Sequence, residues 1–503
     1  MMQAPVISLS LISHTNAGKT TLARTLLSQT VGEVRDAAHV TLDASAYPLI
    51  ETPQGDKLML WDTPGFGDSA RLVKRLRQQG NPIGWFMSQV WDRFRDQTFW
   101  LNQAAVRNTR EQADVVLYLV NAAEEPQDAG YLSPELSVLE WIGKPVIVLL
   151  NQTGPRRPRE QEMQAENQWR EALRQWPQVR SVLTLDAFAR CWVQEFALFD
   201  DVAAVLEQAQ QAAFTRLSQA WQARRMEQFA QAMQVLANPL ARAALDSEPL
   251  HASSLREKAL RLAGLGRDKE LGAQSRAMAA MATRLQQELQ AGMQQLIAIH
   301  GLEGKAAAEV IKQVERDVRV DAPLHEGKAA LMGGAVSGAL SGVAADIATG
   351  GLSLGAGMLT GAVLGAFGGV GIARGFNTLR HKSQTLIRWD GAFLQQQVHT
   401  ALLRYLAVAH YGRGRGEWQQ RSYPEFWNEL VVRLVADHAD ALELVWEQRD
   451  DTPAVDALAQ ALTAVMTDLA RAALDALYPG ALEQVQLDTS APATADRGGP
   501  RPQ

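Results

Sequence analysis

The octet Ser13-His14-Thr15-Asn16-Ala17-Gly18-Lys19-Thr20 follows a strand-like run from Val6 to Ile12 and leads into a helical pattern from Gly18. A strand, a tight loop and a helix in that order turn successive backbone N–H groups into a concavity. The helix N-terminus that closes it carries a partial positive charge that favours phosphate. The octet has the form GxxxxGK(S/T), with Ser13 in place of the first glycine. Serine gives up some backbone freedom but stays small, so the turn survives with a negative φ. On this reading Lys19 reaches the β- and γ-phosphates, Thr20 ligates Mg²⁺, and Ser13, Asn16, Ala17, Gly18 and Thr21 line the nucleotide. The alternative is a chance Gly-Lys-Thr at a helix start, which the preceding strand argues against.

A second motif, Asp62-Thr63-Pro64-Gly65, follows the apolar run Lys57 to Trp61. An aspartate at the end of a buried strand would hold Mg²⁺ through water, and the Gly65 amide would sense the γ-phosphate. A turn with an aspartate is common, so the pairing with the octet gives this one its weight. Between the two motifs, Thr41 is the candidate to complete the Mg²⁺ shell and act with Lys19 and Gly65 in catalysis; an exposed loop threonine is the alternative. Further apolar runs at Val115 to Val120, Val146 to Leu150 and Ser181 to Leu185 alternate with helical patterns up to about residue 200. That alternation predicts an α/β domain with a mostly parallel sheet and helices on both faces. Ser133 reads as the N-cap of one of those helices, with Pro134 in its first turn.

The Asn16-Ala17-Gly18-Lys19-Thr20 segment, taken with Asp62 to Gly65, resembles the TrmE-Era-EngA-septin-like branch of translation-factor-class P-loop GTPases, over about residues 5 to 200. The resemblance implies GTP and GDP as ligands, with Mg²⁺. Phe66 stands at that family's glutamine-like catalytic position, which implies slow hydrolysis unless a cation, a partner or self-association assists. Asn16 matches the asparagine of potassium-activated members and implies a K⁺ site; a loop-stabilising side chain is the alternative. The family's base-reading motif, NKxD, is here Asn151-Gln152-Thr153-Gly154. Gly154 has no side chain with which to tell guanine from adenine, and losing a charged bidentate contact weakens selectivity by roughly 1.5–3 kcal/mol. Asp186 falls near the last base-binding loop as a substitute. This context also resembles a bacterial subgroup of GTPase-like proteins with a C-terminal domain of unknown function, which extends the resemblance over most of the chain.

At 503 residues the chain is long enough for several domains, and its net charge of -6 argues against a general nucleic-acid coat. Cys191 is the only cysteine, so no internal disulfide forms and a reducing compartment fits. The start, MMQAPVISLSLI, has no basic region ahead of its apolar run and does not read as a signal peptide. The expected location is the cytoplasm. Met87, Val90, Trp91, Phe94 and Leu101 fall on one side of a helix, either a packing face or a partner groove, and Pro155 to Arg159 form a basic loop.

Beyond residue 200 helical patterns take over, as in Met281, Leu285, Leu289, Met293 and Leu296. The expected layout is a GTPase domain at 1–200, a large all-α domain at 201–328 and 375–480, a glycine-rich helical hairpin at 329–374 and a disordered tail at 481–503. In the hairpin Gly334, Gly338 and Gly342 repeat every four residues, as do Gly357, Gly361, Gly365 and Gly369, with Asp346 the only charge between Ala329 and Ala373. That spacing lets two helices approach closely, either in lipid at the cytoplasmic face of a membrane or inside a soluble bundle. Two function classes follow. One is a GTP-hydrolysing switch whose helical domain reads the nucleotide for a protein or ribonucleoprotein partner. The other is a membrane-associated dynamin-like GTPase that uses the glycine-rich hairpin to contact lipid; a nucleotide-binding scaffold with little hydrolysis is a third, and a homo-oligomer is compatible with each.

Overall fold

Runs of Val, Ile and Leu without polar alternation need cover on both faces, and helices supply it here. The computed structural model describes residues 5–14, 17–27, 45–66, 69–78, 106–154, 157, 159–187, 191–250, 267–302, 376–381, 384–411, 424–451 and 454–482. One sheet holds β1 (Val6–Ser13), β2 (Ser45–Glu51), β3 (Lys57–Asp62), β4 (Val115–Asn121), β5 (Val146–Asn151) and β6 (Val179–Thr184), in the order β2-β3-β1-β4-β5-β6. All neighbours pair in parallel except β2, which runs antiparallel to β3 at the edge. Helices α1 (Lys19–Leu27), α2 (Ser69–Gln78), α3 (Leu132–Ile142) and α4 (Arg159–Leu173) accompany it. Alternate residues of the central strands enter two cores. Leu9, Leu117 and Leu149 pack with Leu22 and Leu26 of α1, whereas Ile12, Val116 and Val148 pack with Leu136 and Leu139 of α3. The strand order reverses at β1, the place where open α/β sheets bind ligands beyond their strand ends.

Two local expectations change. α3 begins at Leu132, one residue before Ser133, and its N-cap position is Tyr131 with no side-chain cap bond. Ser133 lies in the first turn, where its carbonyl accepts from Ser137 Oγ. The edge strand β2 has no periodic signature, because Pro48 interrupts its short run and shifts its register against β3.

The remainder is largely helical: α5 (Gln194–Val205), α6 (Gln208–Leu245), α7 (Arg267–Ile299), α8 (Gly391–Ala409), α9 (Glu425–Asp437), α10 (Ala439–Asp451) and α11 (Val455–Leu477). Within α7, Met281, Leu285, Met293 and Leu296 are buried, as their spacing predicts. Helical periodicity did not disclose a small antiparallel sheet of β7 (Ser247–Leu250), β8 (Phe376–His381) and β9 (Gln384–Trp389), ordered β7-β9-β8. Pro239 inside α6 cannot donate to Val235, and Gly292 of α7 approaches there so closely that a Cβ would lie 3.2 Å from the Pro239 ring and 3.3 Å from the Val235 carbonyl. Among the described residues, no helix is long and apolar enough to cross a membrane. Thr15, Asn16, Thr41, the amphipathic stretch around Trp91, most of the basic loop, the glycine hairpin and residues 483–503 lie outside the described residues.

The sheet and the helices share one continuous apolar cluster, which runs from Leu9 through Trp192, Phe214 and Phe229 to Leu402 and Leu469. Polar ties reinforce it. Glu195 of α5, fully buried, takes Arg225 Nε and Nη2 at 2.8 and 3.0 Å and Trp221 Nε1 at 2.7 Å. Trp192 Nε1 donates to the Tyr405 hydroxyl at 3.0 Å. At the β2–β3 turn, Asp56 accepts Arg216 Nε at 2.7 Å and Nη2 at 2.9 Å, and also the Thr52 hydroxyl at 2.9 Å. The Arg216 guanidinium is the main reason the Asp56 carboxyl lies below the usual carboxylate range. A depressed folded-state value means that this stabilisation is present above the unfolded value and is lost as pH falls through the folded one. Asp56→Asn should therefore lower the thermal midpoint at neutral pH, and the gap from wild type should close as pH drops below about 4. A gap independent of pH in melting curves would contradict this role.

A candidate nucleotide-binding site at the strand ends

The octet turns out of β1 as expected. Gly18 has a φ of +90°, and a Cβ there would lie 2.6 Å from Asn151 Nδ2, so only glycine fits this approach. The Asn151 amide explains the closeness. Its Nδ2 donates to the Ala17 carbonyl at 2.7 Å and its Oδ1 accepts from the Ala187 N–H at 2.8 Å. One buried side chain at the end of β5 thereby joins the loops after β1 and β6.

Lys19, Thr20 and Thr21 open α1 and are all buried. Lys19 Nζ donates to Ser13 Oγ at 3.1 Å, and the Ser13 hydroxyl donates to the His14 carbonyl. Serine in the first glycine's place thus contributes a side-chain bond to the loop. Thr20 Oγ1 donates to Asp62 Oδ2 at 2.7 Å. Asp62 Oδ1 is buried with no hydrogen-bond partner among the described residues. Burial pushes the Lys19 pKa down and the Asp62 pKa up, each opposed by the attraction between the two. A buried carboxylate oxygen without a partner beside a threonine hydroxyl fits a hard divalent cation such as Mg²⁺.

The pairing of β3 with β1 continues past Asp62. Thr63 Oγ1 donates to the Leu11 carbonyl at 2.6 Å and the Phe66 N–H to the Ser13 carbonyl at 2.9 Å. Gly65 is buried between these two tethers. Phe66 is wholly buried among Ile12, Leu72, Val106 and Tyr118, so its side chain belongs to the core.

At the base-reading loop, Gln152 and Gly154 both have positive φ, 58° and 81°, and a Cβ on Gly154 would meet nothing within 4 Å. Asp186 sits at the head of this loop. Its Oδ2 accepts the Thr153 N–H and the Thr153 hydroxyl, each at 2.8 Å. The structure therefore brings Ser13, Ala17, Gly18, Lys19, Thr20, Thr21, Asp62, Gly65, Asn151 and Asp186 to one end of the sheet.

Three residues near the loop, His14, Tyr118 and Glu135, had no role in the site as read from the sequence. His14, within the octet, bonds through Nδ1 to Glu135 Oε1 at 2.7 Å, and the Tyr118 hydroxyl donates to Glu135 Oε2 at 2.7 Å. They are far apart in the chain, and an acid in a helix's first turn is expected from the helix dipole alone, so no local signal marks Glu135.

Residues 8–152 match the model of a family described as 50S ribosome-binding GTPase, so this region is a P-loop GTPase domain. Residues 159–474 match the model of a domain of unknown function, DUF3482, over more than half of the chain. The chain belongs to the DUF3482 family. The DUF3482 match begins at α4, so it takes in β6 of the sheet and nearly all of the helical region. Among solved structures, Era of Aquifex aeolicus bound to GDP·AlF₄⁻ is 20% identical, with a TM-score of 0.30, over 41% of this chain and 58% of that one. Era in complex with MgGDPNP and a segment of 16S ribosomal RNA is 19% identical, with the same coverage and a TM-score of 0.30. A bacterial selenocysteine-specific elongation factor, EF-Sec, is 17% identical, with a TM-score of 0.25, over 36% of this chain and 26% of that one. The chain thus spans little more than half the length of the Era structures it matches. No curated protein matched it.

Lys19→Ala should weaken GDP binding at least about tenfold with or without Mg²⁺, the scale of one charge-assisted contact. Asp62→Asn should instead abolish the tightening that Mg²⁺ brings and leave metal-free binding nearly unchanged. Titration of both variants with a fluorescent GDP checks this, and a Mg²⁺ response preserved in Asp62→Asn would contradict the assignment.

Proposed function

We propose that this chain binds GTP and GDP with Mg²⁺, hydrolyses GTP slowly, and transmits the state of the bound nucleotide to its helical region. The observation that supports it is the meeting of Lys19, Thr20 and Asp62 at the mouth of the octet loop, with Asp62 Oδ1 buried and unpartnered among the described residues. The amides around Gly18 and the Lys19 ammonium would stabilise charge developing on the γ-phosphate. Thr20 and Asp62 would hold Mg²⁺, which when bound neutralises phosphate charge. Thr41 would complete that shell. Phe66, turned into the core, leaves no side chain at its position to orient the attacking water, which is the reason to expect slow intrinsic turnover. A protein or ribonucleoprotein partner, or K⁺ beside Asn16, would supply what is lacking.

The route to the helical region runs along the β2–β3 hairpin. Asp62 ends β3 at the proposed Mg²⁺ site, and Asp56, just before β3, is held by Arg216 of α6. A shift of β3 on nucleotide exchange would pull directly on α6.

Base selection falls to Asp186 in this reading. Thr153 holds its carboxylate by two bonds at the head of the base loop, where Gly154 presents no side chain. Wild type should bind GDP more tightly than ADP, and Asp186→Asn should weaken GDP by about 10- to 100-fold while leaving ADP unchanged. Calorimetry gives both numbers, and equal wild-type affinities for GDP and ADP would refute guanine selection.

A further inference from the structure

We propose that Glu135 is a positioning residue for the phosphate loop, acting through His14, an inference that rests on the nucleotide-binding reading above. Glu135 has no exposed surface, and its hydrogen-bond partners are His14 and Tyr118. Burial pushes its carboxyl pKa upward, against the His14 and Tyr118 bonds that favour the charged form. Burying an acid is costly unless it is bonded, and one that ionises beneath a polyphosphate site repels the ligand. An acid kept there must supply something that offsets the repulsion, and the geometry shows what it holds.

His14 is the second residue of the octet, and although half-buried it is held by both its side chain and its backbone. Its imidazole bonds to Glu135 and stacks on Tyr131, with ring centres 4.5 Å apart and planes 15° from parallel. Its carbonyl accepts from the Ala17 N–H and from the Ser13 hydroxyl. Its backbone forms a parallel bridge with Phe66, just after the Asp62 to Gly65 turn. A loop with glycine in first place reaches its tight turn through backbone freedom. This loop has Ser13 there, and the side chain of the next residue is anchored to the first turn of α3. The tether ties the start of the octet at His14, Phe66 after the Gly65 turn and the first turn of α3 into one unit, which would hold the phosphate-binding backbone in place.

Three roles for Glu135 predict different outcomes. As a mere buried charge, its removal would slow nucleotide release, because repulsion is relieved. As a mere packing element, its removal would lower the thermal midpoint without changing release from folded protein. As a positioning residue, its removal should speed release. The test is the dissociation of a fluorescent GDP from the full chain in Mg²⁺ buffer, chased with excess GDP, with folding followed by circular dichroism. Glu135→Leu, which keeps the bulk but can accept no hydrogen bond from His14 or Tyr118, and His14→Phe, which keeps the stack on Tyr131, should each speed release about tenfold, the scale of one charged hydrogen bond. The double variant should be no faster than the faster single one, since both cut the same link. His14→Gln, which restores a donor towards Glu135, should stay within about twofold of wild type. Release unchanged or slowed in both Glu135→Leu and His14→Phe would overturn the proposal. A wild-type chain that takes up no GDP would instead overturn the nucleotide reading, a result distinct from unaltered release by variants that bind.

Discussion

The amide of Asn151 is the contact on which the site depends. It donates to the loop after β1 and accepts from the loop after β6, while itself ending β5. Neither bond reads a nucleotide. Together they fix the distance between the phosphate end and the base end of the site, and they bring Asn151 so close to Gly18 that no larger residue fits there. An asparagine side chain suits the task because it offers a donor and an acceptor from one rigid, uncharged group.

Around that contact the chain has replaced several side chains of the motifs it resembles, and each replacement has a local partner. Ser13 stands where the first glycine would be, and its hydroxyl links Lys19 to the His14 carbonyl. Gly154 stands where a carboxylate would be, and Asp186 approaches the same loop from β6. Phe66 stands where a water-orienting residue would be, and it packs into the core beneath the Asp62 turn. The helical region is not hung from a linker but grows out of the same core, with Glu195, Arg225, Trp192 and Tyr405 crossing the junction.

The strands and the phosphate loop were legible because their signals are local: apolar runs, a glycine that cannot be replaced and a lysine at a helix start. What stayed hidden depends on residues distant in sequence. Glu135 and His14 are 121 positions apart, Arg216 and Asp56 are 160, and neither pair leaves a mark in any short window. The strands β8 and β9 went unread because they are short and sit in a region dominated by helical patterns. Ser133 misled because a good capping residue lay one position inside the actual helix start. Asn151 was read as part of a base motif, whereas its bonds to Ala17 and Ala187 emerge only when three loops meet.

If these three loops form one nucleotide site, a bound nucleotide protects all of them at once. Hydrogen–deuterium exchange of the full chain, with and without Mg²⁺ and GDP, tests it most directly. Exchange should slow at the amides of Ala17 to Thr21, at Thr153 and at Ala187 together, because ligand binding lowers the population of locally opened states wherever the site is built. Protection absent from these three segments, or confined to a different part of the chain, would contradict it.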